Sequence, residues 1–254
     1  MNIEDKEFKE GERLYFGHGE KEEERAHKER YDFAREKLGV GAVVLDAACG
    51  SGYGSEILAR QAKSVIGLEI DDHALRYAKS HHQKHNIEFK KANLNKKLDL
   101  PDKFFDAVVS FETLEHVANQ ELMISEFQRV LKPGGVLIIS TPDREIISDK
   151  AAAENKFHVA ELSKKEFIDL ISRFFDVEMV YGQIKYKIPA WWKKLIKLFM
   201  NFFPRRLKRF ITDAFHLQRF VHKTFAPQEM TSITRIDPEE ENQYFHLIIV
   251  AKSK

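Results

Sequence analysis

Cysteine is almost absent from this chain: Cys49 is the single such residue in 254. That excludes a disulfide framework and a cysteine-rich zinc site. Long hydrophobic runs are missing too. No uninterrupted apolar stretch approaches the ~20 residues of a bilayer-spanning helix, and the opening MNIEDKEFKE is charged where a signal segment would be apolar. These absences predict a cytoplasmic chain, peripheral to a membrane at most. Repeats and low-complexity tracts are also absent. What is present is an apolar content of 43%, enough for a sizeable core, in a length that suits one α/β domain with additions.

The net charge of +1 hides an asymmetry. Residues 185–223 hold eleven Lys/Arg and one acid, Asp213, while the remainder holds thirty Lys/Arg against thirty-nine Asp/Glu. A strongly basic segment is therefore joined to an acidic body.

The most informative stretch is VVLDAACGSGYG, residues 43–54. An apolar strand ends in Asp46, and a glycine-rich turn feeds a helix, which places backbone N–H groups beside a ligand. The dinucleotide fingerprint lacks its third glycine, since Ser55 follows Gly54, and no GK[ST] phosphate loop follows. A carboxylate at Asp46 repels a pyrophosphate but attracts an ammonium group. The next strand, SVIGLEI, ends in Glu69, whose carboxylate can accept from both hydroxyls of a ribose. Together these features point to a nucleoside-containing cofactor.

Four separated segments then resemble the class I S-adenosylmethionine-dependent methyltransferases: LDAACGSGYG, GLEI, FKKANL, and FFDAVVSFETLEHV with RVLKPGGVLIISTP. The resemblance runs from about Tyr31 to Thr141. GERL…HKERYDFA and NKFHVAELSKKEF are similar to a subgroup found with glycan-assembly enzymes. Ala48 departs from the family's usual glycine, and Asn93 from its frequent aspartate. The resemblance implies S-adenosylmethionine as methyl donor, S-adenosylhomocysteine as product, and no metal.

It also implies roles for particular residues. Gly50 and Gly52, with Ala48 between strand and turn, let the main chain approach the methionyl part. Asp46 organises the turn and faces the cofactor ammonium, or else supports the turn alone. Glu69 binds the ribose. Ile70 and Leu94 line the adenine faces or belong to the core, and Asn93 accepts from the adenine amino group or serves the turn. Arg30 pairs with the cofactor carboxylate, or is a solvated helix arginine; Tyr31, and Tyr15 in the arm, cover the site. On the acceptor side stand Glu112, Glu115 and His116 at the fourth strand's end, and Asn155, His158 and Glu161 further on. His116 and His158 are candidate bases near neutral pH, with Glu161 orienting His158. Cys49 reads as a small buried residue, and His81, His82 and His85 as a solvated helix end.

Alternating strand and helix patterns predict a doubly wound, Rossmann-like, mostly parallel sheet of about seven strands with an antiparallel C-terminal edge and a helical insertion. Residues 1–38 form an arm and covering helix, 39–183 the cofactor-binding core, 184–235 the insertion and 236–254 the last strand and tail. KPGG at 132–135 reads as a sharp stop, and Ser163 with Glu166 as a capping box. In the insertion, Trp192, Ile196, Phe199 and Phe203 lie opposite Lys193 and Lys197, as an interfacial helix would place them. Residues 188–223 are thus a candidate membrane contact; a cap or dimer element is the second reading and nucleic acid the least favoured.

The function expected is O-methylation of a small molecule, glycan or lipid-linked intermediate. A nucleic-acid methyltransferase and a noncatalytic cofactor-binding adaptor are the alternatives.

Overall fold

The structure is a computed structural model that describes residues 21–146, 159–183, 233–236, 244 and 246–254. The charged helix α1 (Lys21–Lys37) leads into β1 (Val43–Ala47). Then follow α2 (Tyr53–Leu58), β2 (Ser64–Glu69), α3 (Asp72–His81), β3 (Ile87–Lys91) and β4 (Phe105–Ser110). A short 3-10 turn (Leu114–His116) precedes α4 (Gln120–Val130), β5 (Leu131–Pro142) and α5 (Lys164–Ser172). The chain closes on β6 (Phe175–Gln183), β7 (Ile233–Ile236) and β8 (His246–Ser253).

One sheet holds all eight strands in the order β3-β2-β1-β4-β5-β8-β6-β7. β1 to β5 run parallel; β8 is antiparallel to both β5 and β6, and β7 to β6. The chain order reverses between β1 and β4, the switch point where ligands bind beyond the carboxyl ends of the strands. The sheet is covered on both sides because successive strand residues face opposite ways. Leu45, Val108, Leu137 and Ile249 pack in one core cluster with Phe127 of α4 and Phe167 of α5. Val44, Val109, Ile138 and Ile248 pack in the other with Tyr31 and Ala34 of α1 and Ile57 of α2.

Two expectations change. KPGG does follow the end of α4 at Val130, but it is not a break before the next strand: β5 begins at Leu131, and the four residues are taken up as an irregularity between the pairs Phe105↔Leu131 and Ala107↔Val136. Proline is tolerated there because a bulge asks for no ladder N–H. The eighth strand is Ile233–Ile236, at the end of the segment read as insertion. Ile233 and Ile236 are buried, and Thr234 and Arg235 are exposed. The rest of the insertion, with its amphipathic stretch, lies outside the described residues, as do Tyr15, Asn155 and His158. The capping box is formed: Ser163 Oγ accepts from Glu166 N, and Glu166 Oε2 accepts from Ser163 N at 2.8 Å.

Candidate active site

The turn after β1 is built around Asp46. Its carboxylate is fully buried and accepts from Tyr31 Oη at 3.0 Å and Ser55 Oγ at 2.6 Å. Burial pushes its pKa up to about 6, against the pull of those two hydroxyls. Asp46 therefore ties three elements together: β1, α1 through Tyr31, and α2 through Ser55. The Tyr31 ring lies flat against Gly54, where a Cβ would fall 2.1 Å from ring carbon.

Ala48 follows with φ 65, Gly50 with φ 55 and Gly52 with φ 89. Alanine in the left-handed region costs about 1–2 kcal/mol, so Ala48 carries strain that the family's usual glycine avoids. Gly50 N donates to Glu69 Oε2 at 3.0 Å, which joins the turn to the end of β2. Glu69 Oε1 accepts from Ile70 N and Asp71 N, each at 2.9 Å. A Cβ on Gly50 would meet nothing within 4 Å. Beside it Ile70 is an unusual apolar side chain, 48% exposed. Leu94 is buried in the main core, and Asn93 Oδ1 accepts from Asn95 N at 2.9 Å, an Asx turn. Cys49 is buried and its thiol pushed up by burial, as a packing residue would be.

Arg30 is not a solvated helix arginine: it is 1% exposed. Its Nη1 donates to Gln183 Oε1, and Gln183 Nε2 donates to Ala26 O at 3.1 Å. Its Nε is buried with no hydrogen-bond partner. A buried guanidinium with an unmet donor suits an anionic ligand group.

Beyond β4 the polar side chains cluster. Glu112 has φ 49. Its Oε1 accepts from Ser140 Oγ at 2.6 Å, and its Oε2 meets His246 Nε2 at 3.0 Å. Burial works to raise the Glu112 carboxyl, but His246 first and Arg30 next outweigh it and hold it well below the usual range. Glu115, three residues on, goes the opposite way. Burial and then the Glu112 charge push it well above the ordinary value, while Thr141 Oγ1 donates to it at 3.2 Å. The environments of two neighbouring carboxyls thus push them in opposite directions, a pattern found where acid and base roles are divided.

His116 Nε2 lies 3.9 Å from Glu115 Oε1. The segment before Glu161 is tied to this cluster, since Val159 N and Ala160 N both donate to Glu115 O, at 2.8 and 3.2 Å; the Glu161 carbonyl accepts from Arg144 Nη1 at 3.2 Å. His82 is not simply solvated, since its Nδ1 meets Glu56 Oε2 at 2.6 Å. Sequence reasoning missed His246, Ser140 and Gln183. A signal for His246 existed only through topology: an antiparallel strand beside β5 must begin at the carboxyl edge. Among the described residues no group of three or more His, Cys, Asp or Glu is placed to hold a metal ion. A surface depression of about 380 Å³ lies at the amino-terminal ends of β1 and β4, lined by Lys37, Gly41, Asp106 and Lys132, and shares no residue with this cluster.

A doubly wound sheet, a glycine turn at its switch point and an acid on the next strand define a nucleoside-cofactor domain of the methyltransferase type. The profile of the methyltransferase-domain family matches residues 38–202, and the chain belongs to that family, among the class I S-adenosylmethionine-dependent methyltransferases. A relative from Mycolicibacterium smegmatis, named a probable S-adenosylmethionine-dependent methyltransferase, is 38% identical over 56% of this chain and 55% of its own length. The mouse mitochondrial ubiquinone biosynthesis O-methyltransferase is 35% identical over 42% of this chain and 30% of its own. The chain thus spans about half the length of the mycobacterial relative. Among solved structures, an S-adenosylmethionine-dependent methyltransferase from Mesorhizobium loti shares the fold with a TM-score of 0.59 at 16% identity, covering 88% of this chain and 97% of that one. A protein from Pyrococcus horikoshii does so with a TM-score of 0.61 at 18% identity, covering 93% of each.

Proposed function

We propose that the chain transfers a methyl group from S-adenosylmethionine to an oxygen of a small molecule, a glycan or a lipid-linked intermediate. The observation that carries the cofactor assignment is the bond between Gly50 N and Glu69 Oε2. It brings the glycine turn and the candidate ribose-binding acid, which the sequence separates by a helix, side by side. The residues fit the group. Gly50 leaves open space, Ile70 offers an exposed apolar wall, and Arg30 holds a buried donor without a partner. Arg30 would hold the carboxylate, Asp46 would face the ammonium group, and Glu69 would accept from the ribose hydroxyls. Ala48, Gly50 and Gly52 would shape the methionyl side, and Asn93 and Leu94 the adenine side.

The sulfonium supplies an activated methyl group and leaves as a neutral thioether, so the chemistry asks for alignment and proton removal. His116, His158 and Glu161 remain candidates for the acceptor side. Oxygen is favoured as acceptor by the mouse relative's name and by SFETLEH at the end of β4, where base-amine methylation would call for a proline- and aromatic-rich tetrad. The basic residues 188–223 favour a lipid-linked acceptor reached from the membrane face.

Calorimetric titration with S-adenosylmethionine and S-adenosylhomocysteine tests this reading. Saturable binding by the wild type and its loss in Glu69→Ala is the expected result. Absence of wild-type binding to both ligands overturns it.

A further inference from the structure

Among the described titratable side chains at the acceptor end of the sheet, His246 is the one whose ring has a buried nitrogen with no hydrogen-bond partner. It opens β8, opposite Pro142 of β5 and Gln183 of β6. Because β8 is antiparallel to β5, this first residue lies at the carboxyl edge of the parallel strands, level with the turn after β4. Along that edge the strands present Glu69, then the glycine turn, then Glu112, then Ser140, then His246. The order runs from cofactor side to acceptor side.

The ring is oriented from one nitrogen only. Nε2 meets Glu112 Oε2 at 3.0 Å, while Nδ1 is buried with no hydrogen-bond partner. An ionised carboxylate accepts and does not donate, so Nε2 carries the hydrogen of this contact. In the neutral ring Nδ1 then holds a lone pair. Glu112 itself is fixed: Ser140 Oγ donates to its other oxygen, and Glu112 N donates back to Ser140 Oγ at 3.2 Å. Its left-handed backbone, φ 49 in a residue other than glycine, is a conformation that persists where the surroundings enforce it.

We propose that His246 is the base that takes the proton from the acceptor hydroxyl, with Glu112 as the positioning residue that holds the ring in the Nε2–H tautomer. The proposal rests on the oxygen-methylation reading and deepens it. The acceptor O–H bond breaks, and its proton goes to Nδ1. The oxygen forms a bond to the methyl carbon as the carbon–sulfur bond breaks, and that bond's electron pair goes to sulfur, leaving the neutral thioether. The imidazolium passes its proton to solvent. While charged it is balanced by Glu112 across the 3.0 Å contact. Among the described residues the other ionisable groups around this pair are Arg30 and His27 of α1, both of which act on Glu112, Tyr53 of α2, on which Glu112 acts, and Glu115 of the 3-10 turn with His116 beside it. β5 contributes only the hydroxyls of Ser140 and Thr141, and β6 the amide of Gln183.

Nitrogen-15 NMR of histidine-labelled full chain saturated with S-adenosylhomocysteine tests the dyad without an acceptor. The resonances are assigned by their loss in His246→Gln, whose amide can still donate to Glu112. The expected spectrum near neutral pH shows His246 protonated at Nε2 with a bare Nδ1, and Glu112→Gln, whose amide can donate as well as accept, loses that tautomer preference. A proton resident on Nδ1, or a ring that stays cationic up to pH ~9, well above the ordinary histidine range, overturns the proposal.

Methyl transfer from labelled S-adenosylmethionine to the catechol probe 3,4-dihydroxybenzoate is the second arm. His246→Gln should lower kcat by about 100-fold or more, the scale of a lost general base, with S-adenosylhomocysteine affinity unchanged and the acid limb of the pH profile gone. An unchanged kcat and pH profile overturns the proposal. If the wild type leaves this probe unmethylated, the result counts against oxygen methylation of such acceptors, and the NMR spectrum still decides the dyad.

Discussion

Gly50 and Gly52 share a left-handed backbone but stand in unlike surroundings. A Cβ on Gly52 would come within 2.7 Å of Ala78 Cβ and 2.9 Å of the Phe89 ring, whereas one on Gly50 would meet open space. The two alanine variants should therefore fail differently. Gly52→Ala adds a clash in the α3–β3 cluster to the backbone strain and should lose about 3 kcal/mol of stability or more. Gly50→Ala should lose only about 1–2 kcal/mol, while its methyl intrudes on the cofactor and weakens binding at least tenfold. Thermal unfolding and calorimetry on both variants check the contrast; equal losses in both readouts would refute it. The same scale shows what the sequence made legible. The placement of Asp46, Gly50 and Glu69 was readable because each sits at a fixed offset from a strand end. Arg30 was half readable: its type suggested an anion partner, but its burial depends on Gln183, far along the chain. His246 was readable only through the topology of the antiparallel edge, since its partner Glu112 is brought to it by the sheet.

Elements with a local cause were legible in the same way. The apolar run 105–110 fell on β4, and Ser163 with Glu166 formed the expected capping box. KPGG marked the end of α4 correctly but hid the early start of β5, because an irregular strand start tolerates the Pro and Gly that also end a helix. β7 escaped because four residues, two buried and two exposed, carry no alternation long enough to count. The amphipathic segment 188–223 is known here from its sequence, and the membrane contact proposed for it makes a prediction at this scale. The full chain should sediment with vesicles containing phosphatidylglycerol and not with phosphatidylcholine alone. Lys193→Glu, Lys194→Glu and Lys197→Glu together should release it, as each basic group near anionic lipid contributes about 1 kcal/mol. No sedimentation with either vesicle would refute the contact.

For the whole molecule, the buried Asp46 ties stability to pH. Its pKa rises from 3.8 to about 6 on folding, so in the window between these values the folded chain binds a proton that the unfolded chain does not. Stability should therefore increase as pH falls through that window, by up to about 3 kcal/mol from this group. Glu115, raised for the same reason, acts in the same direction; Glu112, held low, contributes its loss at lower pH still. Asp46→Asn removes the first contribution only. Denaturant unfolding between pH 7 and pH 4 should show wild type gaining on the variant as the solution is acidified, and a constant difference would refute the linkage. Among the described residues no helix is long and apolar enough to cross a membrane.

The position of β8 has a consequence for how the protein is made. β5 and β6 both pair with β8 and not with each other. A nascent chain that has emerged through β6 can assemble the parallel strands with the glycine turn and Glu69, but β5 still has an open edge. Strand insertion between two earlier strands is a non-local step of the slow kind, and until it occurs Glu112 lacks its contact with His246. The ribosome thus delivers the glycine turn and Glu69 well before the strand that carries His246.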